Sequence, residues 1–482
     1  MRSPWLVFVV LVSCTGGSGS PTGSTATGET SSDTTTETSE TTDTPETTGA
    51  PSTTAGTTTG PTETTETETE TEAETESETT AGEPAPVCDD IQFTSAVLEQ
   101  KVRDELDIPD GPISPEQLLT LTVFNASQGS DTSKDLGGIE CAQELVELDL
   151  TGEELTEVEP LKWLKKLEWL DLGANDFAKY PGGLEPLRDL DNLHTLILNN
   201  TDAADIGDLA TLNALEVLDL DDCQVEDLTP LSSLTTLTEL YLGDNMISAV
   251  SPLADLSNLQ RLDLEKNPLT DLAPLAGLPA LTWLNVSGTD VTSLDNLASV
   301  TTLEVLRATQ SEVSEVHLGA LPQLHELYLW LNNIDDLDGL AELSALTTLD
   351  ISSNEVTDLA PLAGLAMLET LHIHNNGLSE LAPLAALDLV DFRANSNLIE
   401  DVAPLAEVPT LRTIDLANNQ ISDLSPFADP AWLDVECLRI ELDLNPLNAE
   451  ATNVIIPSLC AKGALVVWGE QESCNEECAP MP

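Results

Sequence analysis

Basic residues are scarce in this chain, which has 16 Lys and Arg against 86 Asp and Glu over 482 residues. The formal net charge of −70 repels phosphate backbones and anionic lipid surfaces, so neither nucleic acid nor a membrane surface is expected as a partner. Aromatic residues are also rare, at 3% of the chain. The positions of the few that are present are therefore informative.

Catalytic and metal-binding motifs are missing as well. The sequence has no phosphate-binding loop, no nucleophile elbow and no metalloprotease helix. The nearest approach to a metal site is His372 and His374, two apart on a predicted strand, with Asp350 expected beside His372 on the neighbouring strand. Zinc uses such ligands, but histidines that contact solvent or a partner are the favoured interpretation. The many aspartates are expected to form a solvated face rather than a calcium site. We predict no metal, no cofactor and no enzymatic activity.

Large apolar residues are almost absent from Thr15 to Val87, where the chain consists mainly of Thr, Glu, Ser, Gly and Pro. This segment has 15 acidic residues and no Lys or Arg. Because it cannot bury enough surface to offset the entropy of ordering, it is predicted to be disordered. Residues 14–87 are therefore interpreted as an extended tether, whose threonines are possible sites of O-linked sugar.

The first residues, MRSPWLVFVVLVSC, combine Arg2 with an apolar run from Trp5 to Val12 that ends at Cys14. The run is too short to span a bilayer. It resembles a bacterial lipoprotein signal, which is cut before a cysteine that receives lipid. We expect a signal over 1–13 and lipidation of Cys14, with a plain signal peptide cut a few residues later as the alternative. The resemblance, with Thr15 rather than an aspartate after the cysteine, favours a surface-exposed location on the outer membrane.

From residue 145 to 447 the sequence repeats the frame LxxLxLxxNxIxxLxPLxxLxx. The segments 237–258 and 259–280 superimpose without a gap, and the first leucine of the frame recurs through fourteen units, mostly at a spacing of 22. Leucines two apart predict a short strand with its leucines inward. The Pro-Leu pair predicts an extended or 3₁₀ return path, because proline prevents a long helix there. A period of this length is typical of a stacked repeat solenoid.

One inward position of the frame is polar. The residue three after the second strand leucine is Asn in nine of the fourteen units. A buried amide at this point can satisfy backbone groups of neighbouring coils. Cys223 occupies the same position and is predicted to be a buried free thiol. Glu153 occupies it in the first unit, where the position is expected to be open.

Both ends of the repeats have segments of different character. Residues 88–144 contain a helical pattern at 93–108 and a second helix start, with Ser114 as N-cap, Pro115 first and Gln117 third. These residues are predicted to cap the first repeat. Residues 448–482 are predicted to cap the last repeat, through a short helix and a final strand that cover its apolar edge.

The repeat frame resembles the 22-residue bacterial leucine-rich repeat of internalin-like proteins. One unit carries the resemblance through Leu237, Leu240, Leu242, Asn245, Ile247, Val250, Pro252, Leu253 and Leu256. The resemblance extends over roughly 88–470. It implies an α/β fold, a right-handed solenoid shaped as a horseshoe with a parallel concave sheet, a helical N-terminal cap and a C-terminal cap with a disulfide. It also implies protein binding, although a fold alone does not name the partner.

Export places the cysteines in an oxidising compartment, so we expect disulfides near the two ends of the repeats. The candidates are Cys88, Cys141, Cys437, Cys460, Cys474 and Cys478. We propose Cys88 with Cys141 in the first cap, Cys437 with Cys460 in the last, and Cys474 with Cys478. Spacing does not determine this connectivity, because six cysteines allow 15 pairings.

The alternation along each strand leaves a set of aromatic and basic side chains on the outer, concave face. Trp, Tyr and Arg are the residues that dominate the binding energy of protein interfaces. The predicted ligand-binding residues are Trp169, Tyr241, Arg261, Trp283, Arg307, Tyr328, Trp330, His372, His374 and Arg393.

These patterns predict a non-enzymatic, lipid-anchored protein of the cell envelope that binds a protein ligand on its concave face, in adhesion or recognition. Two alternatives are a structural envelope or matrix protein without a specific ligand, and a glycan-binding protein.

Overall fold

The computed structural model describes residues 85–127, 130–177, 183–429, 438–469 and 472–474. The predicted signal at 1–13, Cys14 and the tether up to residue 84 lie outside the described residues, as do Cys437 and Cys478. The division of the chain at residues 88, 145 and 448 stays a prediction.

The repeats form one open sheet, to which each unit contributes a strand of three residues. Over the described ranges it has 17 strands. They are β1 Val123–Asn125, β2 Glu147–Asp149, β3 Trp169–Asp171, β4 Thr195–Ile197, β5 Val217–Asp219, β6 Glu239–Tyr241, β7 Arg261–Asp263, β8 Trp283–Asn285, β9 Val305–Arg307, β10 Glu326–Tyr328, β11 Thr348–Asp350, β12 Thr370–His372, β13 Asp391–Arg393, β14 Thr413–Asp415, β15 Arg439–Glu441, β16 Leu465–Gly469 and β17 Glu472–Cys474. Neighbours from β1 to β16 pair in parallel, and β17 pairs antiparallel with β16. The predicted parallel sheet of a right-handed solenoid is confirmed.

The core is a stack of leucines from equivalent positions of successive units. Leu240 at the centre of β6 lies in register with Leu262 of β7, and both are fully buried. The outward residues of the same strands, Tyr241 and Asp263, also lie in register. The alternation of strand side chains therefore separates residues that stabilise the solenoid from residues that face a ligand.

The return path consists of short 3₁₀ helices, as the Pro-Leu pairs predict. They cover Ile139–Cys141, Glu159–Trp163, Glu185–Leu187, Gly207–Thr211, Thr229–Ser233, Ser251–Leu253, Ala273–Gly277, Asp295–Ser299, Asp338–Leu340, Ala360–Gly364, Ala382–Ala386 and Ser425–Ala428. In six of these twelve turns an aspartate two residues before the turn accepts its first N–H group; the Oδ1 of Asp271, for example, lies 2.8 Å from the Ala273 nitrogen.

The turn after each strand has a left-handed residue that the sequence frame does not mark. In all fourteen units the residue directly before the inward polar position has a positive φ, between 52° and 69°. Leu331 (φ 59°) and Leu444 (φ 58°) take this conformation despite their branched side chains. Left-handed backbone costs about 1–2 kcal/mol for such residues, so the stacked coils must hold it in place.

The inward polar positions form the predicted ladder. Asn267 is 2% exposed; its Oδ1 accepts the Ile247 N–H at 2.9 Å, and its Nδ2 donates to the carbonyl oxygens of Leu242 (2.8 Å) and Leu264 (3.1 Å). Each amide thus joins two coils of the stack. Cys223 is a buried free thiol, as predicted, and its Sγ donates to the Leu198 carbonyl oxygen at 3.0 Å.

The N-terminal cap contains α1 (Ala96–Glu105) and α2 (Pro115–Leu118). Ser114 and Gln117 form the capping box expected from the sequence. The expectation that the first inward polar position is open is wrong. Glu153 is 2% exposed there, and the Nζ of Lys101 on α1 lies 2.7 Å from its Oε1.

The C-terminal cap follows the last repeat. A π-helical turn at Ala451–Ile455 leads into a helix at Ile456–Ala461. This helix is numbered α4, because α3 (Ala403–Ala406) precedes it within the repeats. The chain then forms the hairpin of β16 and β17.

Among the described residues, each cap has one disulfide. Cys88 pairs with Cys141, as predicted. Cys460 pairs with Cys474, with 5.9 Å between their Cα atoms, so the predicted pairs Cys437–Cys460 and Cys474–Cys478 are wrong. The reason is the β16–β17 hairpin, which places Cys474 opposite Val466, close to the end of α4.

Candidate ligand-binding face

All ten predicted residues lie on the outward face of the sheet. They are Trp169 on β3, Tyr241 on β6, Arg261 on β7, Trp283 on β8, Arg307 on β9, Tyr328 on β10, Trp330 two residues after β10, His372 on β12, His374 two residues after β12, and Arg393 on β13. They are not evenly distributed along the sheet, because the successive strands β6 to β10 each carry one of them, whereas β4, β5 and β11 carry none. Trp169 has Glu147 and Thr195 as its register neighbours and lies apart from the other aromatic residues.

In seven of the fourteen strands β2 to β15 the last residue is acidic, and in six of these seven it is an aspartate that accepts a backbone N–H group. The Oδ1 of Asp219 accepts the Asp221 N–H at 3.0 Å, and the Oδ1 of Asp263 accepts the Glu265 N–H at 2.9 Å. These bonds end the strand by satisfying a backbone donor.

The residues of this acidic column are only partly exposed to solvent. Burial raises the pKa of Asp219, Asp221 and Asp263 to about 6, and neighbouring carboxylates add to the shift by repulsion. The N-terminal half of the face therefore carries carboxylates that titrate only slightly below neutral pH.

Two arginines of the face are stacked on aromatic rings of the next strand. The Arg261 guanidinium carbon lies 4.2 Å from the centre of the Trp283 ring, and that of Arg307 lies 4.8 Å from the centre of the Tyr328 ring. Each pair brings together two predicted residues. Such cation–π contacts contribute about 0.5–1 kcal/mol at exposed sites and hold the planar guanidinium in a defined orientation.

The two tyrosines of the face are fixed by acidic residues of their own strands. The Tyr241 hydroxyl donates to Glu239 at 2.6 Å, and the Tyr328 hydroxyl donates to Glu326 at 2.9 Å. Burial, with these hydrogen bonds, raises the pKa of both phenols to about 12. Both phenols are therefore neutral at physiological pH, and a hydrogen bond fixes each hydroxyl group.

A pocket of about 240 Å³ opens on the face beside the Arg307–Tyr328 pair. Four successive repeats line it: Glu265 and Lys266; Asn285, Ser287 and Gly288; Arg307, Thr309 and Gln310; and Tyr328 and Trp330. Three of the predicted residues, Arg307, Tyr328 and Trp330, meet in this pocket.

The remaining lining residues were not predicted. Lys266, Gly288 and Gln310 are left-handed residues of the turns. Ser287 and Thr309 come two residues after the ends of β8 and β9. The first residue after each of the strands β7 to β10 is buried, as at Leu264, Val286, Ala308 and Leu329. The alternation of side chains turns the second one outward, and this extension of the strand pattern would have identified Glu265, Ser287 and Thr309.

A second polar cluster contains His372 and Arg393. The Nε and Nη2 atoms of Arg393 donate to Asp391 at 3.0 and 2.8 Å. His372 lies between Asp350 and Asp391, at ion-pair distances of 3.8 and 3.6 Å. Burial alone lowers the pKa of His372, but the two carboxylates outweigh it and raise the pKa to about 9. This imidazole is therefore a cation at neutral pH.

The described ranges contain neither a metal-binding cluster nor a membrane-spanning helix. In these ranges, no group of three or more His, Cys, Asp or Glu side chains is arranged to hold a metal ion. No helix in the described part of the chain is long and apolar enough to cross a membrane.

The sequence matches the family described as leucine-rich repeats (2 copies) at residues 235–277, 322–364 and 344–386. No curated protein matches it. An internalin (inlF) from Listeria monocytogenes of known structure is 30% identical, with a TM-score of 0.63, over 70% of this chain and 100% of that chain.

Two more distant structures are similar in fold alone. The leucine-rich repeat ectodomain of the receptor kinase GASSHO1/SCHENGEN3 from Arabidopsis thaliana, in complex with Casparian strip integrity factor 2, is 19% identical with a TM-score of 0.55, over 75% of this chain and 48% of that chain. The Toll–Spatzle complex of Drosophila gives 18% identity and a TM-score of 0.53, over 68% of this chain and 50% of that chain. With its repeats, its caps and the similarity to the Listeria protein, the chain belongs to the internalin-like family of leucine-rich repeat proteins.

Proposed function

We propose that this protein is a non-enzymatic, lipid-anchored protein of the cell envelope that binds a protein ligand on the concave face of its repeats. The observation that carries the proposal is the pocket at Arg307, Tyr328 and Trp330. An ordered guanidinium, a fixed phenol and an indole meet there, and these are the groups that supply most of the binding energy in protein interfaces.

The similar structures support a protein ligand in general terms. The plant receptor ectodomain is in complex with Casparian strip integrity factor 2, and Toll is in complex with Spatzle. For this chain, the concave location of the aromatic residues is consistent with the same kind of contact.

A glycan ligand is less well supported by the pocket. Sugars stack on open aromatic faces, whereas the Arg307 guanidinium already lies over the Tyr328 ring. A purely structural role in an envelope matrix does not account for a stacked arginine at this place.

The lipid anchor and the outer-membrane location are part of the proposal and rest on the sequence at Cys14. Labelling of growing cells with radioactive palmitate is expected to mark the protein, and Cys14→Ser is expected to abolish the label. Protease treatment of intact cells is expected to remove the repeats if they are exposed at the surface. Persistent lipid label in Cys14→Ser, or protection of the repeats from protease, contradicts this part.

Affinity capture from the surface of the same organism tests the binding function. The bait proteins are the full chain, Tyr328→Ala and Trp330→Ala. The matched aromatic control is Trp163→Ala, since Trp163 lies on the 3₁₀ return path at Glu159–Trp163.

We expect one protein to be retained by the full chain and by Trp163→Ala, and its affinity to fall by about 2 kcal/mol or more with either pocket variant. Equal retention by all four baits contradicts binding at this pocket. Circular dichroism of each bait shows that the variants are folded.

A further inference from the structure

Arg307 is an unpaired cation in a strongly acidic protein. The chain has 86 acidic residues and 16 Lys and Arg, yet within the described residues no carboxylate lies at ion-pair distance from the Arg307 guanidinium. Arg393 differs, since it donates two hydrogen bonds to Asp391. Lys266, across the same pocket, lies 2.6 Å from Asp244.

The residues next to Arg307 at the end of the strand are neutral, whereas seven of the fourteen repeats have an acidic residue at this position. Its register neighbours at the end of the strand are Asn285 and Tyr328, whereas Asp263 and Asp350 occupy this column one strand further on each side. The pocket is thus a local gap in the acidic column, with Glu265 and two cations in its lining. Lys266 is paired with Asp244, so Arg307 is the cation of the pocket that has no acidic partner among the described residues.

Arg307 is not needed for the turn that follows its strand. In six of the fourteen units an aspartate of this column accepts the N–H group two residues later. Here the Thr309 nitrogen donates instead to the Ser287 hydroxyl of the preceding repeat, at 3.1 Å. Because another side chain performs the structural task, the guanidinium at position 307 remains available to a ligand.

We propose that the pocket seats a carboxylate side chain, an aspartate or glutamate of the protein ligand, with Arg307 as its ion-pair partner. This inference rests on the proposed binding function. The Tyr328 ring covers one face of the guanidinium and leaves its N–H edges open, and these edges match the two oxygens of a carboxylate. The hydrogen bond from the Tyr328 hydroxyl to Glu326 fixes the orientation of the ring on which the guanidinium stacks.

A single carboxylate is a better match than a polyanion. The adjoining face carries Asp219, Asp221 and Asp263 and repels an extended line of negative charge. A single acidic side chain in the gap contacts Arg307 and stays away from the carboxylates of the acidic column. The basic residues of the same ligand would then face the acidic column, so the partner surface combines both signs of charge.

The test uses a displayed library of random 15-residue peptides, selected on the immobilised full chain. Recovered peptides are synthesised and their dissociation constants are measured with the full chain, Trp330→Ala, Arg307→Gln and Arg412→Gln. Arg412 is the matched charge control, because its side chain bonds to the backbone carbonyl oxygens of Thr410 and Leu411, outside the pocket.

We expect peptides that lose affinity with Trp330→Ala to share an Asp or Glu. Arg307→Gln is expected to weaken them at least tenfold, and Arg412→Gln to change them less than twofold. Replacing the shared acid by Asn or Gln is expected to weaken binding to the full chain, but to have no further effect on binding to Arg307→Gln. That result shows that the two groups interact.

Trp330-dependent peptides that lack a carboxylate, or that bind Arg307→Gln unchanged, overturn the inference and leave the proposed function standing. Failure to recover any peptide that depends on Arg307 also overturns it. If the captured protein ligand itself proves insensitive to Trp330→Ala and Tyr328→Ala, the proposed function fails separately.

Discussion

Arg307 and Tyr328 lie at the same position of adjacent strands, and the guanidinium of one stacks on the ring of the other at 4.8 Å. The residue between Tyr328 and Trp330 on the chain is Leu329, which is fully buried. A single stretch of β10 and its turn thus provides both core and binding face. The two roles can be separated by mutation.

Leu327→Ala is expected to reduce the stability of the repeats, whereas Tyr328→Ala is expected to reduce ligand binding. Leu327 is fully buried in the leucine stack, so its truncation leaves a cavity and costs about 2–5 kcal/mol of unfolding free energy. Tyr328→Ala removes a half-buried ring and is expected to cost less than about 1 kcal/mol of unfolding free energy, while it weakens ligand binding by about 2 kcal/mol or more. Urea unfolding of both variants beside the capture assay measures the difference. A Tyr328 variant as unstable as the Leu327 variant means that the ring is a structural residue.

Asn267→Ala is expected to destabilise the repeats by about 2–3 kcal/mol. The change leaves the Ile247 N–H without its 2.9 Å acceptor and the Leu264 carbonyl without its 3.1 Å donor, and buried unpaired groups are costly. Asn258→Ala is the control, since its exposed amide makes one bond, to the Thr235 carbonyl, and should change stability by less than about 0.5 kcal/mol. Similar urea midpoints for the two variants would show that the ladder does not stabilise the stack.

The strands, their register and the return helices could be predicted because every unit repeats the same local constraints. A one-residue error in register would turn the leucines of a strand outward, so the alternation also identified which side chains face a ligand. Register predicted the neighbours of Arg307 as well, but not which pairs would stack, since that depends on side-chain conformations.

Other features have no periodic signal. The left-handed turn residues vary from Gly288 to Leu331, so nothing in their type marks the conformation that places Lys266 and Gln310 at the pocket. Glu153 departs from the ladder, and its partner Lys101 comes from a cap helix 52 residues earlier. The Cys460–Cys474 disulfide depends on a hairpin that occurs once in the described chain.

Lys101→Met is expected to cost about 3 kcal/mol or more. The change leaves the Glu153 carboxylate buried without its cation, which is the costly way to break a buried ion pair. Thermal unfolding followed by circular dichroism measures the effect. Adding Glu153→Gln to Lys101→Met should restore part of the loss, because the uncompensated charge is then removed.

The control for this pair is Lys134→Met, whose partner Glu154 is exposed, at 2.8 Å. Exposed ion pairs contribute little, so this variant should unfold at nearly the same temperature as the full chain. Equal losses for the Lys101 and Lys134 variants contradict the capping role of Lys101.

A peptide map of the unreduced protein is expected to contain Cys88 linked to Cys141 and Cys460 linked to Cys474, with Cys223 alkylated only after denaturation. Cys474→Ser opens a loop with a sequence separation of 14 and should cost about 3 kcal/mol. Cys223→Ala is the control that removes a sulfur without opening a loop. A Cys437–Cys460 peptide in the map contradicts the observed pairing.

Lowering the pH from about 8 to 5 is expected to raise the unfolding temperature. Burial holds the pKa of Asp219, Asp221 and Asp263 at about 6 in the folded protein, against about 3.9 in an unfolded chain. Between these values the folded state binds more protons, so their stabilising effect is fully present below about pH 4 and is lost as the pH rises through about 6. His372 acts in the same direction, because its pKa of about 9 exceeds the unfolded value of about 6.5.

The variant Asp219→Asn/Asp263→Asn isolates the acidic column. Each Asn keeps an oxygen that can accept the N–H bond of the turn but does not titrate, so the double variant should be more stable than the full chain at pH 8. Its unfolding temperature should also depend less on pH between 5 and 7, at constant ionic strength. Asp227→Asn/Asp423→Asn is the control, since exposed carboxylates whose pKa is lowered by Thr229 and Ser425 lose their contribution only at lower pH. If the unfolding temperature of Asp219→Asn/Asp263→Asn depends on pH as strongly as that of the full chain, the burial of these two carboxylates does not destabilise the protein at neutral pH.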